Sequence, residues 1–318
     1  MTKHLTNSEL REKLFNIYSQ NLMFLRQHPN LKIEPDIQDI FVCPLCFRYF
    51  FKDETIRKTN PLVSIEHIPP EKMGGHKITL TCAECNSRAG SQLDSHLINK
   101  MRTDAFLKGV KGTQVDTKIN INDIIDINGI ALNSDAGNVS IIGIPKKSNP
   151  SEIIKLSKID KSNLQTVSID FSIGFKQGSL EASLLRIAYL WGFSVFGYGF
   201  ILNNYLSPIR HKINNPQEES FSHIKIIYNL KIADEFLGIN LLSIPENLRS
   251  FCIIFDLKEK NQKTRYGVLL PGFTNPGLKI YEIKESISKI TLNHIFETKE
   301  YLLNEDRSFT PQMIWKNW

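Results

Sequence analysis

Between residues 6 and 28 the apolar side chains fall at Leu10, Leu14, Ile17, Leu22 and Leu25, the spacing of one face of a helix. Thr6 and Glu9 stand at capping-box distance, so the pattern predicts a packed helix that starts at Thr6. Beyond residue 112 the period drops to two. Val115, Thr117, Ile119 and Ile121 alternate with polar residues, and Ile125 and Ile127 continue the pattern. Residues 135–138 read as a hairpin turn before a strand over 139–144, and Val167, Ile169, Phe171 and Ile173 predict another strand. Residues 251–257 and 266–270, joined by a charged stretch, predict a further hairpin. The most apolar segment, 184–202, carries Arg186 inside it and is broken by Gly192, Gly197 and Gly199. A membrane span needs about 20 uninterrupted apolar residues, so this segment predicts a buried helix over 179–196 running into a turn or strand.

The change of period, with Gly109 and Gly112 at the end of the preceding helix, places a domain boundary at residue 112. The expected organisation is α+β: a domain over 1–112 followed by a larger α+β domain over 113–318 built of sheets around one buried helix. A chain of 318 residues with 41% hydrophobic and 23% charged residues fits two folded domains and excludes a fibrous or disordered class. The N-terminus lacks the apolar core of an export signal, so a cytoplasmic location is expected. Net charge is +6, and residues 1–112 hold 16 Lys and Arg against 12 Asp and Glu. The excess permits nucleic-acid binding and is concentrated in the first third.

Four of the five cysteines form two Cys-x-x-Cys pairs, Cys43 with Cys46 and Cys82 with Cys85, separated by 35 residues. Two such turns can converge on one tetrahedral ion, and four soft sulfurs select Zn²⁺ in a closed, structural site. Cys252, in an apolar run, reads as a buried core thiol.

Candidate chemistry lies between and just after these pairs. A short strand over 63–67 ends in Glu66 and His67, whose side chains point to opposite sides, and a returning strand runs over 77–82. Asn86 follows the last cysteine and opens a helix through Leu93, Leu97 and Met101, which brings Glu66 and Asn86 together. A carboxylate and an amide oxygen are hard ligands suited to Mg²⁺ or Mn²⁺. His67, free of the ion, is suited to deprotonate an attacking water. Arg88 in the first helical turn is placed to clamp a phosphate. Asp94 reads as helix surface, His96 as exposed or hydrogen-bonded, and Trp191, Phe193, Phe196 and Tyr198 as core. The tail Trp315, Lys316, Asn317 and Trp318 reads as a docking element of undefined target.

The order Cys-x-x-Cys, Glu-His-x-x-Pro with Gly-Gly, then Cys-x-x-Cys-Asn-x-x-x-Gly resembles the HNH endonucleases, also called ββα-metal or His-Me finger nucleases, in their zinc-stapled, treble-clef-like form. The resemblance covers residues 41–97. It implies metal-dependent cleavage of phosphodiester bonds in DNA or RNA, with His67 as general base and Glu66 and Asn86 as ligands of the catalytic ion. Cys43, Cys46, Cys82 and Cys85 match the zinc ligands. Glu66 stands where Asp is more common, and the middle motif position falls on Lys77. His76 or a backbone group is expected to brace the loop instead. The family's settings make prokaryotic restriction or phage defence an expected context, and cutting both strands makes a homodimer an expected assembly, with a partner protein engaged through the second domain as another. The competing reading is a non-catalytic zinc treble clef that binds nucleic acid or protein.

Overall fold

Helix α1 (Asn7–Arg26) begins as the capping box requires. The Thr6 hydroxyl accepts from the Glu9 amide at 3.3 Å, and the Glu9 carboxylate accepts from the Thr6 amide at 2.7 Å. Its apolar stripe buries Leu14, Phe15, Tyr18, Leu22 and Leu25. The computed structural model describes residues 5–27, 32–134, 137–160, 164, 166–172, 174–218, 226–244, 250–272 and 291–297. Parts of the turn expected over 135–138, Ile173 and the tail residues Trp315, Lys316, Asn317 and Trp318 lie outside the described residues.

Strands β1 (Ile40–Val42) and β2 (Tyr49–Phe51) form a small antiparallel hairpin whose turn carries the first cysteine pair. After α2 (Lys52–Ile56), strands β3 (Val63–Ile68) and β4 (His76–Cys82) pair antiparallel, with Val63 opposite Cys82 and Glu66 opposite Thr79. The register then shifts, so that His67 pairs with Lys77. The β3–β4 connection closes on Gly75: a Cβ there would lie 1.4 Å from the Pro69 carbonyl oxygen, so only glycine fits. Helix α3 (Ala83–Ala89) follows directly. The helix expected to open at Asn86 starts three residues earlier at Ala83, and a widened π-helical turn over Gly90–Asp94 separates it from α4 (Ser95–Leu107).

The chain folds as a mixed α+β protein in two compact units, and these are not the contiguous halves 1–112 and 113–318 expected from the sequence. One unit comprises Met1–Asp94, Gln177–Leu257 and Lys263–Trp318; the other comprises Ser95–Lys176 with Lys258–Gln262. The physical reason is α6 (Gln177–Phe196), whose apolar length packs with the first 94 residues instead of with the sheet that precedes it.

In the second unit β5 (Gln114–Ile121), β6 (Ile125–Asn133), β7 (Val139–Gly143) and β8 (Val167–Phe171) form a four-stranded antiparallel sheet in the order β7-β6-β5-β8. Its alternating positions bury Ile121, Ile125 and Ile127 against Ile153, Leu156 and Ile159 on and after α5 (Pro150–Ser157), and Val115 and Ala131 against Phe106 of α4. His96 is on this unit, where its Nδ1 accepts from the Lys176 amide at 3.1 Å.

In the first unit α6 is the central element, with Leu184, Leu185, Ile187, Ala188 and Leu190 fully buried. Phe193 stacks on Tyr18 of α1 at 4.5 Å. The segment expected to leave α6 as a turn or strand instead reverses at Gly197, φ 64°, into α7 (Tyr198–Ile201), and α8 (Ser207–Asn214) follows. Strands β9 (Ile226–Tyr228), β10 (Gly238–Ile244), β11 (Ser250–Glu259), β12 (Gln262–Pro271) and β13 (Thr291–Glu297) make a five-stranded sheet in the order β13-β10-β11-β12-β9. Phe251 packs on Phe196 and Phe200, and Phe255 stacks on Trp191, which joins this sheet to α6 and α7. Cys252 is fully buried in β11 as a core thiol.

Candidate functional site

The first cysteine turn is shaped by backbone bonds. The Phe47 amide donates to the Cys43 carbonyl at 2.9 Å and the Cys43 amide to the Arg48 carbonyl at 2.8 Å, which folds residues 43–47 back on themselves. The second pair straddles a helix start: Cys82 ends β4 and caps α3, its sulfur accepting from the Cys85 amide at 3.4 Å. The two turns converge, and the sulfurs of Cys43, Cys46, Cys82 and Cys85 all lie within 4.8 Å of one another. That donor set fits a structural metal such as zinc. Hydrogen bonds from Cys43 and its neighbours hold Cys46 below the ordinary thiol range and Cys82 at about 6, while burial raises Cys43. Cys85 is raised as well, so without an ion the close sulfurs divide into two lowered and two raised thiols. Arg48 lies against Cys82, 3.5 Å from its sulfur, where a cation offsets thiolate charge.

Ser64 and Glu66 project from the same side of β3, because alternate strand residues share a face. The Asn86 amide nitrogen donates to the Ser64 hydroxyl at 3.1 Å, so α3 brings Asn86 to the face that carries Glu66. The Asn86 amide oxygen makes no hydrogen bond among the described residues. His67 lies beyond the register shift, half-buried, and its imidazole has no hydrogen-bond partner among the described residues.

Glu66 is the most constrained member. Only 4% exposed, it accepts from the Thr81 hydroxyl at 2.9 Å through Oε2, and its Oε1 lies 2.5 Å from Nη2 of Arg186. Arg186 comes from α6 and is completely buried. Its Nη1 lies 3.3 Å from both oxygens of Asp94, which also accepts from the Ser183 hydroxyl at 2.9 Å. Burial works against the Arg186 charge, but Glu66 and Asp94 more than offset it and raise its pKa. Burial also raises Asp94, against the opposing pull of Arg186 and Ser183.

Asp94, expected on the helix surface, is therefore a buried ion-pair partner, placed inward where the π-helical turn ends. Arg88, expected to face a phosphate, bonds instead to the Asn214 side chain of α8, with the Cys85 sulfur 4.0 Å away. Lys77 donates to Asn7 of α1 at 2.8 Å, and His76 is exposed with no hydrogen bond among the described residues. Neither side chain braces the loop; backbone groups close it, the Met73 amide donating to the Pro70 carbonyl at 2.8 Å and the Gly74 amide to the Glu71 carbonyl at 3.0 Å. Arg186 was the residue without an assigned role, and its signal was one guanidinium inside the most apolar stretch of the chain.

For a hard ion the described residues offer the Asn86 amide oxygen and the Glu66 lone pairs not used by Thr81 and Arg186. Among the described residues the four thiols are the only group of three or more His, Cys, Asp and Glu side chains gathered closely enough for a metal. No described helix is long and apolar enough to cross a membrane. No protein-family model, curated protein or solved structure matches the chain.

Proposed function

We propose that the first unit is an HNH-type, metal-dependent endonuclease that hydrolyses DNA phosphodiester bonds, with Zn²⁺ on Cys43, Cys46, Cys82 and Cys85 holding the hairpin and helix together. The observation that carries this reading is the delivery of Asn86, the residue after Cys85 of the thiol cluster, to the β3 face that carries Ser64 and Glu66, with His67, whose imidazole has no hydrogen-bond partner among the described residues, at the next position of the strand. His67 takes a proton from water through an imidazole nitrogen, a role that needs that nitrogen within hydrogen-bond reach of the water. Glu66 and Asn86 hold a Mg²⁺ or Mn²⁺ ion, which when bound supplies electrophilic stabilisation of phosphoryl oxygens. Thr81 and Ser64 orient these two side chains through the hydrogen bonds described above.

A second reading rests on the burial of Glu66. A carboxylate that is 4% exposed and paired with a guanidinium suits a structural role, as in a non-catalytic treble clef that binds nucleic acid or a partner protein. The two are separated by incubating the zinc-loaded chain with supercoiled plasmid, single-stranded DNA and RNA, with Mg²⁺, with Mn²⁺ and without either. The nuclease reading expects ion-dependent strand breaks; salt-sensitive binding with no breaks under any ion supports the treble clef.

A further inference from the structure

Three buried charges meet at the core end of this site, and together they carry a net negative charge: Glu66 from β3, Asp94 from the turn after α3, and Arg186 from α6. Around Arg186, α6 is apolar, with Leu184, Leu185, Ile187 and Ala188 fully buried. A buried ion triad is a poor way to stabilise such a helix, because apolar residues of similar volume are often equal or better. The triad does fix geometry. Each oxygen of Glu66 has its own partner, Thr81 for one and Arg186 for the other, so the carboxylate is held in one orientation. Asp94 and Ser183 hold the guanidinium from the opposite side. Arg186 is fully buried and cannot meet a substrate; whatever it does at the site passes through Glu66.

We propose that Arg186 is the positioning residue of this site, anchored by Asp94, and that the site is assembled from two separated stretches of chain, 63–94 and 177–196. The assignment rests on the hydrolytic reading above. The chain leaves the first unit after Asp94 and returns at Gln177, with one member of the triad at the exit and another soon after the return.

The test compares full-length, zinc-loaded wild type, Arg186→Lys and Asp94→Asn by zinc content, thermal unfolding, calorimetric Mn²⁺ binding, and kcat and KM for plasmid cleavage. Lysine keeps the charge but loses the planar fork that spans two carboxylates. Arg186→Lys is expected to lower kcat and Mn²⁺ affinity about 10- to 100-fold at unchanged zinc content. Asp94→Asn keeps one acceptor oxygen for Ser183 and Arg186 and loses the other; with zinc content and thermal unfolding confirming the fold, its kcat is expected to fall at least about threefold with KM unchanged. Wild-type kcat and Mn²⁺ affinity in Asp94→Asn overturn the assignment, whether or not Arg186→Lys folds. If wild type cleaves and Asp94→Asn cleaves equally, only the role of Arg186 is lost. If wild type neither cleaves nor binds Mn²⁺, the hydrolytic reading fails and the assignment falls with it.

Discussion

The Tyr198 hydroxyl exchanges two hydrogen bonds with one residue, accepting from the Val42 amide at 2.8 Å and donating to the Val42 carbonyl at 3.0 Å. Val42 ends β1, immediately before Cys43, so a side chain from α7 takes the place of a neighbouring strand at the base of the first thiol turn. Tyr198 is fully buried, and burial pushes its hydroxyl well above the ordinary tyrosine value, which keeps it protonated and able to donate. Tyr198→Phe leaves both backbone groups of Val42 unpaired, at a cost of about 1–3 kcal/mol for each one that water does not reach. Urea unfolding is expected to show a lower midpoint at unchanged slope, with weaker zinc retention under chelator.

Thiol titration reads the metal site directly. Native zinc-loaded protein is expected to show little reaction with a thiol reagent, and four reactive thiols after chelation. A fifth appears only on unfolding, because burial pushes Cys252 up to about 12 and leaves it both inaccessible and protonated. Replacement of any of Cys43, Cys46, Cys82 and Cys85 by serine is expected to abolish zinc binding and to lower the unfolding midpoint of the first unit. Five reactive thiols in the native, chelated protein would place Cys252 outside the core.

Gly75→Ala is expected to be severe. Its Cβ would overlap the Pro69 carbonyl oxygen, a backbone atom that cannot rotate away, so the β3–β4 connection must move. Circular dichroism melting is expected to show a loss well above the few tenths of a kcal/mol of an ordinary surface substitution. A melting curve equal to wild type would contradict the close approach.

Much of this is legible in the chain, and what is not has a physical reason. The cap of α1, the two strands flanking Glu66 and the convergence of the thiols follow from short-range rules, since Thr6 with Glu9 and each Cys-x-x-Cys act within one turn. Asn86 and Glu66 reach the same face because β4 returns antiparallel to β3 and α3 starts directly at its end, at Ala83. The pairing of Arg186 with Glu66 and Asp94 is different in kind. No local period relates α6 to β3, and Asp94 turns inward only because the π-helical turn over Gly90–Asp94 displaces it from the face an uninterrupted helix would give. The same long-range packing of α6 makes the units discontinuous, which a break in hydrophobic period at residue 112 does not reveal.

Asp94 gives a pH dependence of known sign. Burial raises its folded pKa, so the native state favours the protonated form. Stability from this group is present below its unfolded value of about 3.9 and is lost as pH rises through the folded value. Above the folded value the ionised carboxylate therefore costs stability, and there Asp94→Asn is expected to unfold at higher denaturant concentration than wild type. The gap is expected to close as pH falls below the ordinary carboxylate range. A variant less stable than wild type at pH 7 would show that the ionised carboxylate stabilises Arg186 by more than its own burial costs.

The central claim is that the imidazole of His67 performs the chemistry. Its most direct test is single-turnover nicking of plasmid in Mg²⁺ or Mn²⁺ by wild type and His67→Ala, both with full zinc content and matched unfolding curves. The account predicts that the variant binds DNA as wild type does but cuts about 10²- to 10⁴-fold more slowly. Equal cutting by the two proteins, or no cutting by wild type, would contradict it.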